Sequence, residues 1–310
     1  MLFSRMEYIT ILFVIAMMAV AEYFQINAII FPEIAALAFG AWVMEDRPWD
    51  GPAWTIWFSP TLGAVTGILV LHYIPYQLVV LICIAFLLVF LELKVVRSSM
   101  SPSFSAAILP IITHVTSWIY PLSVCLMTAV IAAVASRNEK TVPAAGGLSA
   151  AVKCRRPRNA WAEALHCGKL LFFVLLLALL SVKSRWIYIL SPPLVVAFVE
   201  LTHPGSTLRQ KSMKGLLLLL VSSALAGMFW VHVVVHVLSA PLWFAAGLAV
   251  ATTFLLARLL RIASPPAFAL ALLPTILPQQ VLYAYPLHVL IGSLLFIAIS
   301  LIWFRTAKTP

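Results

Sequence analysis

Lys94-Val-Val-Arg97-Ser-Ser-Met-Ser101-Pro102-Ser103-Phe104-Ser105-Ala-Ala107-Ile-Leu109-Pro110 and Arg258-Leu-Leu-Arg261-Ile-Ala-Ser264-Pro265-Pro266-Ala-Phe268-Ala-Leu-Ala271-Leu-Leu273-Pro274 decide how this chain is built. The two stretches align without a gap at a constant offset of 164 residues, from Lys94 against Arg258 to Pro110 against Pro274. Two basic residues, a proline, a phenylalanine, an alanine and a Leu-Pro pair coincide. Further on, Tyr120-Pro121-Leu122 matches Tyr285-Pro286-Leu287 with one residue inserted. Upstream, Phe31-Pro32-Glu33 lies beside Pro192-Pro193-Leu194, and Gly67 beside Gly227. Apolar sequences align easily by chance, but paired cations and prolines over a gap-free run do not. A fixed-period repeat of this kind points to a duplicated unit. The halves run over residues 1–135 and 169–310, joined by a polar linker at 136–168.

The composition places both halves in a membrane. Of 310 residues, 63% are hydrophobic and 10% charged, against about a quarter charged in an ordinary soluble domain. Pro60 to Leu91, Gly215 to Ala257 and Ala267 to Phe304 contain no Asp, Glu, Lys or Arg. Such runs are long enough for one or two spans of roughly 20 residues each. Continuous apolarity, rather than strand-like alternation, predicts helices. Arg5 opens like a signal peptide, but Glu7, Glu22 and the run to Phe31 offer no small-residue cleavage site. The expected fold is therefore an all-α polytopic transmembrane helical bundle. Each half contributes six apolar segments, two of them short. An even number of crossings per half makes the repeats parallel-oriented, related by a pseudo-two-fold along the membrane normal.

The charge pattern sets orientation. The net charge of +10 comes from Lys and Arg that flank apolar runs, which is positive-inside bias rather than a nucleic-acid surface. The cluster Lys153, Arg155, Arg156, Arg158 in the linker fits a cytoplasmic loop beside anionic lipid. Both termini then face the cytoplasm, in a multi-pass protein of the bacterial inner membrane. Trp42, Trp54, Trp57, Trp118 and Trp186 near the span ends form the expected interfacial belt. The four cysteines Cys83, Cys125, Cys154 and Cys167 form no C-x-x-C pair, and neither a disulfide framework nor a metal site is expected. The lipid bilayer is one expected partner, and Leu-rich faces such as Leu216 to Leu220 suit lipid or a second copy in a homodimer.

Four short segments start with proline, at Pro32, Pro102, Pro192-Pro193 and Pro265-Pro266. Proline fits the first helical turn, where its missing N–H costs nothing. Each segment is long enough for about half a membrane at 1.5 Å per residue. A half-helix that starts within the bilayer places free N–H groups and a positive dipole end at depth, and such ends hold anions or carboxylates. The candidate substrate-binding residues are therefore Pro32, Glu33, Ser101, Pro102, Ser103, Ser105, Pro193, Ser264, Pro265 and Pro266, with His114 following the first serine-rich segment. Glu33 reads equally as a proton or cation site and as a local cap. Glu200 reads as an interfacial charge and Glu92 as a helix-end charge. His232 and His236, four apart on one face, read as polar helix contacts or a proton relay. Ala106, Ala107, Ala269 and Ala271 would let neighbouring backbones come close.

Met100-Ser-Pro102-Ser-Phe-Ser-Ala-Ala-Ile-Leu-Pro110 and Ser264-Pro-Pro266-Ala-Phe-Ala-Leu-Ala-Leu-Leu-Pro274 resemble the signature of HPP-family integral membrane proteins. That signature is His-Pro-Pro followed by small residues and a Leu-rich turn. Phe31-Pro32-Glu33-Ile-Ala-Ala-Leu-Ala38 and Pro192-Pro193-Leu-Val-Val-Ala-Phe-Val199 resemble the family's other proline-plus-small-residue segment. Ser101, and Ser264 or Pro265, stand where the family has histidine, and two units stand where it has one. The resemblance implies a multi-span bacterial or plastid membrane protein. Plant members are associated with nitrite transport.

No G-x-S-x-G, Walker loop or H-E-x-x-H occurs, so no catalytic residue, cofactor or metal is expected. The expected function is a transporter or channel for a small anion or small carboxylate-bearing solute, with its site between the halves at the short helix starts. The alternatives are an intramembrane lipid-modifying enzyme that uses Glu33, His114 or the serines, and a non-transporting scaffold or sensor subunit.

Overall fold

The computed structural model describes residues 3–139, 160–203, 206 and 208–304. The cluster Lys153 to Arg158, with Cys154 and the linker glycines Gly146 and Gly147, lies outside the described residues. The described part is helical. Its elements are α1 (Arg5–Phe24), α2 (Glu33–Ala38, continued by a wider π turn over Phe39–Val43), α3 (Trp54–Tyr73), α4 (Leu78–Val96), α5 (Pro102–Thr113), α6 (Ile119–Glu139), α7 (Ala160–Lys183), α8 (Pro192–Thr202), α9 (Met213–Val231, with a π extension His232–Val237), α10 (Leu242–Leu260), α11 (Pro265–Leu272, continued to Ile276 by a 3-10 turn), α12 (Gln279–Leu282) and α13 (Tyr285–Trp303). Eight of these helices are long and apolar enough to cross a membrane, and four apolar helices are shorter: Asn27–Val43, Pro102–Thr113, Pro192–Thr202 and Pro265–Ile276. The chain is a multi-pass membrane protein.

Local chemistry explains the ends of these helices. Ser4 and Glu7 close a reciprocal capping box at the start of α1. The start of α10 is capped from a distance: the Glu22 carboxylate at the end of α1 accepts the backbone N–H groups of Leu242 and Trp243. Arg97, His114 and Arg261 end α4, α5 and α10 in the left-handed conformation. Two boundaries differ from those expected. α3 starts at Trp54 rather than after Pro60, because a proline within a helix is tolerated where neighbours repair the lost hydrogen bond. α7 starts at Ala160, so its first turns use part of what the composition assigned to the linker. Helix-forming Ala160, Ala162 and Ala164 explain that extension, and Glu163 within it reaches Lys94 at 3.2 Å.

The halves are packed by an exchange of their first helices. α1 packs on α10, and α7 packs on α4. Each junction carries an ion pair. Lys94 of α4 pairs with Glu163 of α7, and Arg258 of α10 pairs with the buried Glu7 of α1 while lying over the Phe3 ring. Lys94 and Arg258, aligned cations of the repeat, are thus each engaged with an acid. Two tryptophans also leave the expected belt. Trp42 is buried with its indole N–H on the Ile131 carbonyl, and Trp49, also buried, points inward. Trp54, Trp57, Trp118 and Trp186 are exposed.

Backbone packing at the centre is unusually close, as the small residues suggested. α3 presents Gly63 and Gly67 to α5, and a Cβ on either would collide with the carbonyl of Ser103 or Ala107. On α9, Gly227 meets the Ala271 carbonyl of α11 in the same way. In lipid, where hydrophobicity does not drive helices together, such close contact supplies the dispersion and weak C–H···O attraction that does. Gly67→Ala and Gly227→Ala are therefore expected to lower stability by about 1–3 kcal/mol, the usual cost of overpacking. Gly168→Ala is the control: nothing lies within 4 Å of its built Cβ, and it should stabilise α7 by about 0.5–1 kcal/mol. Unfolding of the purified protein in mixed micelles by denaturing detergent measures all three.

Candidate functional site

The four short helices make a closed cycle in the middle of the protein. α2 packs on α11, α11 on α8, α8 on α5, and α5 on α2. The candidate residues Pro32, Glu33, Ser101, Pro102, Ser103, Ser105, Pro193, Ser264, Pro265 and Pro266 are all buried in this cycle. His114 is not among them. It is exposed at the far end of α5, as the left-handed cap of that helix.

The helix starts do not all meet at one point. Glu33, at the start of α2, accepts a hydrogen bond from Ser105, one turn into α5. Glu200, near the end of α8, accepts a 2.7 Å hydrogen bond from Ser101 at the start of α5. α5 therefore presents two polar levels, one helical turn apart, on a single face. Each level carries a buried carboxylate from a different half.

The upper level is completed by Trp49. Its indole N–H lies 3.0 Å from both the Ser101 hydroxyl oxygen and Oε1 of Glu200. Its ring fills the space beside Gly40, where a Cβ would stand 2.6 Å from the ring edge. Glu200 is thus a buried, doubly hydrogen-bonded carboxylate, not the interfacial charge expected from its place at a segment end. It also sits at the positive end of α5, where a helix dipole favours negative charge. The protein's own carboxylate takes the position in which the sequence suggested an anionic ligand.

The lower level is less satisfied. Oε2 of Glu33 is buried and has no hydrogen-bond partner. The Tyr120 hydroxyl donates to the Ala106 carbonyl at 2.9 Å, and the Tyr285 hydroxyl to the Leu270 carbonyl at 3.0 Å. Both phenols interact electrostatically with Glu33. Three serine hydroxyls at short-helix starts, those of Ser103, Ser191 and Ser264, are also buried without partners. Buried polar groups are nearly always paired; these four unpaired oxygens lie one on each of four neighbouring short helices or their starts, while other unpaired polar atoms among the described residues are on Ser59, Glu92, Arg209, His288 and Ser293. Ser191, Trp49 and Glu200 were missed as site residues. Ser191 had a local signal, because it precedes Pro192 as Ser101 precedes Pro102 and Ser264 precedes Pro265. Trp49 had none, since its partners lie 52 and 151 positions away.

Within the cycle, the two contacts that join the halves differ in chemistry. Where α2 meets α11, Phe39 and Phe268 stack with ring centroids 4.2 Å apart. Where α5 meets α8, the contact is the Ser101–Glu200–Trp49 triangle. The 164-residue alignment places Ser101, Ser103 and Ser105 against Pro265, Ala267 and Ala269. Hydroxyls thus line only one of the two aligned helices. Away from this centre, His232 and His236 meet Tyr283 at 2.9 Å and Gln279 at 3.2 Å, which makes them polar helix contacts.

No family model, no curated protein and no solved structure matches this chain.

Alanine substitutions separate paired from unpaired hydroxyls. Ser101→Ala removes a donor from a buried carboxylate and should cost about 1–3 kcal/mol. Ser264→Ala deletes a buried hydroxyl without a partner and should be neutral or stabilising. Thermal unfolding of both variants against wild type tests the difference.

Proposed function

We propose that the chain is a membrane transporter or channel for a small anion or small carboxylate-bearing solute, which binds within the cycle of α2, α5, α8 and α11. The observation that carries this reading is the set of buried, unpartnered hydroxyls of Ser103, Ser191 and Ser264 at short-helix starts. Hydroxyls and helix N-termini are the donors that an anion needs. Glu33 and Glu200 constrain the mode of binding. A second negative charge beside an ionised buried carboxylate is strongly disfavoured in a low dielectric. The solute therefore binds when at least one carboxyl is neutral.

We also propose that the two halves are parallel repeats, with half-helices that belong to one extended HPP-like unit in each half. The exchange of packing supports this: α1 lies on α10 as α7 lies on α4, and α2 on α11 as α8 on α5. The bacterial inner membrane and cytoplasmic termini follow from the charge pattern in the same spirit. An intramembrane lipid-modifying enzyme is the second reading, favoured by one contact: Ser101 and Glu200 form a serine–carboxylate pair at 2.7 Å. Against it stands Trp49, which hydrogen-bonds both partners and covers them.

Proteoliposomes loaded with buffer and offered labelled nitrate, nitrite, phosphate, sulfate or pyruvate should take up at least one of these anions. Ser264→Ala and Ser103→Ala should then lower uptake about fivefold, the value of one neutral hydrogen bond of about 1 kcal/mol. Their folding should remain intact. Absence of uptake for every anion would defeat the transport reading.

A further inference from the structure

Glu33 of α2 and Glu200 of α8 contact one face of the same short helix, α5, and the spacing between them has a use that solute binding alone does not require. Ser101 touches Glu200, and Ser105, one turn away, touches Glu33. Side chains at this spacing lie about 5–6 Å apart, a gap that one water molecule spans. Each serine hydroxyl both donates and accepts, so each can take a proton on one side while releasing one on the other.

The two carboxylates differ as the ends of a relay should. Glu200 is the more accessible, at 8% exposure against 1% for Glu33, and it lies under a non-helical connection between α2 and α3 that carries Trp49. Glu33 lies deeper, with one oxygen on Ser105 and the other without a partner. Within α2, α5, α8 and α11, Glu33 and Glu200 are the only ionisable side chains. α11 and α5, which pack on α2, contain no ionisable residue. From α6 and α13, the tyrosines Tyr120 and Tyr285 face Glu33. The charges of α1 are at its ends, Arg5 exposed, Glu7 on Arg258 and Glu22 on the start of α10. Around Glu200, the α2–α3 connection contributes Glu45, Asp46, Arg47 and Asp50. The 3-10 turn after α8 contributes Arg209, whose Nη1 is buried; α13, which packs on α8, carries His288 near its start, beside Trp186 ahead of α8. α11, which also packs on α8, adds none.

We propose that Glu200, Ser101, Ser105 and Glu33 form a proton path along α5, and that Trp49 closes its outer end. This rests on the transport reading and specifies its coupling: the solute moves with a proton. A proton from water neutralises Glu200. It passes through the Ser101 and Ser105 hydroxyls to Glu33, which becomes neutral as Glu200 returns to the anion. Charge is conserved at each step, and no bond other than O–H is made or broken. A neutral Glu33 removes the repulsion that keeps an anion from the unpaired hydroxyls. The aligned helix α11 cannot serve in this way, because Pro265 and Ala269 replace the two serines. The path is single although the architecture is double.

The test uses the full chain in proteoliposomes that contain a trapped pH-sensitive dye, with the anions above as probes. Uptake of the accepted anion should carry protons inward, and an imposed pH gradient should drive its accumulation. Glu33→Gln and Glu200→Gln should lose that accumulation. Ser105→Ala should slow both proton and anion uptake. Anion flux without proton movement, or gradient-driven accumulation by Glu33→Gln equal to wild type, would overturn the path while leaving transport standing. Infrared spectroscopy of the protein in bilayers decides the matter independently of any solute. A protonated-carboxyl band should titrate with pH, vanish in Glu33→Gln, and exchange with deuterium more slowly in Ser101→Ala. A band unchanged in Glu33→Gln would refute the assignment even if every anion were transported.

Discussion

The structure depends on how helix ends are satisfied away from water. Each helix leaves free N–H groups at its start and free carbonyls at its end. A short helix enclosed by others has no solvent to supply partners. Proline removes one of the orphan donors outright at the starts of α5, α8 and α11. Glu200 lies at the N-terminal end of α5, and Glu22 takes two N–H groups from α10. The buried carboxylates of this protein are thus tied to backbone electrostatics before they are tied to any function.

Close contact between backbones follows from the same constraint. A short helix contributes few side chains, so it must be held by what little surface it has. α5 and α11 are each held by glycine-bearing helices, α3 and α9, that approach to the main chain itself. The aromatic rings fill the remaining space, Phe104 on Phe86 at 4.5 Å and Phe268 on Phe39 at 4.2 Å. Each aligned phenylalanine meets a ring within its own half, Phe268 meeting Phe254 at 4.7 Å, and Phe268 alone also stacks across the halves on Phe39. From such small differences the polar and apolar sides of the central cycle arise.

Much of this was legible in the residues. Long uncharged runs announced the spans, and four prolines announced the short helices at nearly their observed bounds. Ala107 and Ala271 announced close packing, and Gly67 and Gly227, legible only as aligned repeat positions, supply its other side. Glu33 was recognisable because a carboxylate just after a proline is a local pattern. Glu200 was not, because its environment is made by Ser101 and Trp49, 99 and 151 positions away. A residue at the end of one apolar segment reads as interfacial until the segment is known to stop against the start of another. The π turns at Phe39 and His232 carried no signature, since a wider turn is a response to tertiary packing rather than a propensity.

The exchange of first helices has a consequence for how the protein is made. α1 is synthesised first, but its packing partner α10 arrives more than two hundred residues later, and the Glu7–Arg258 pair joins positions 251 apart. Non-local contacts of this span are slow to form, because chain closure must precede any reward. During synthesis α1 therefore resides in the bilayer without its neighbour, its buried carboxylate uncompensated. Helices α3 to α6 pack on one another within the first half, but α1 cannot dock on α10 until most of the second half has been inserted. The α1–α10 contact is therefore a late step, and a chain truncated before α10 lacks it.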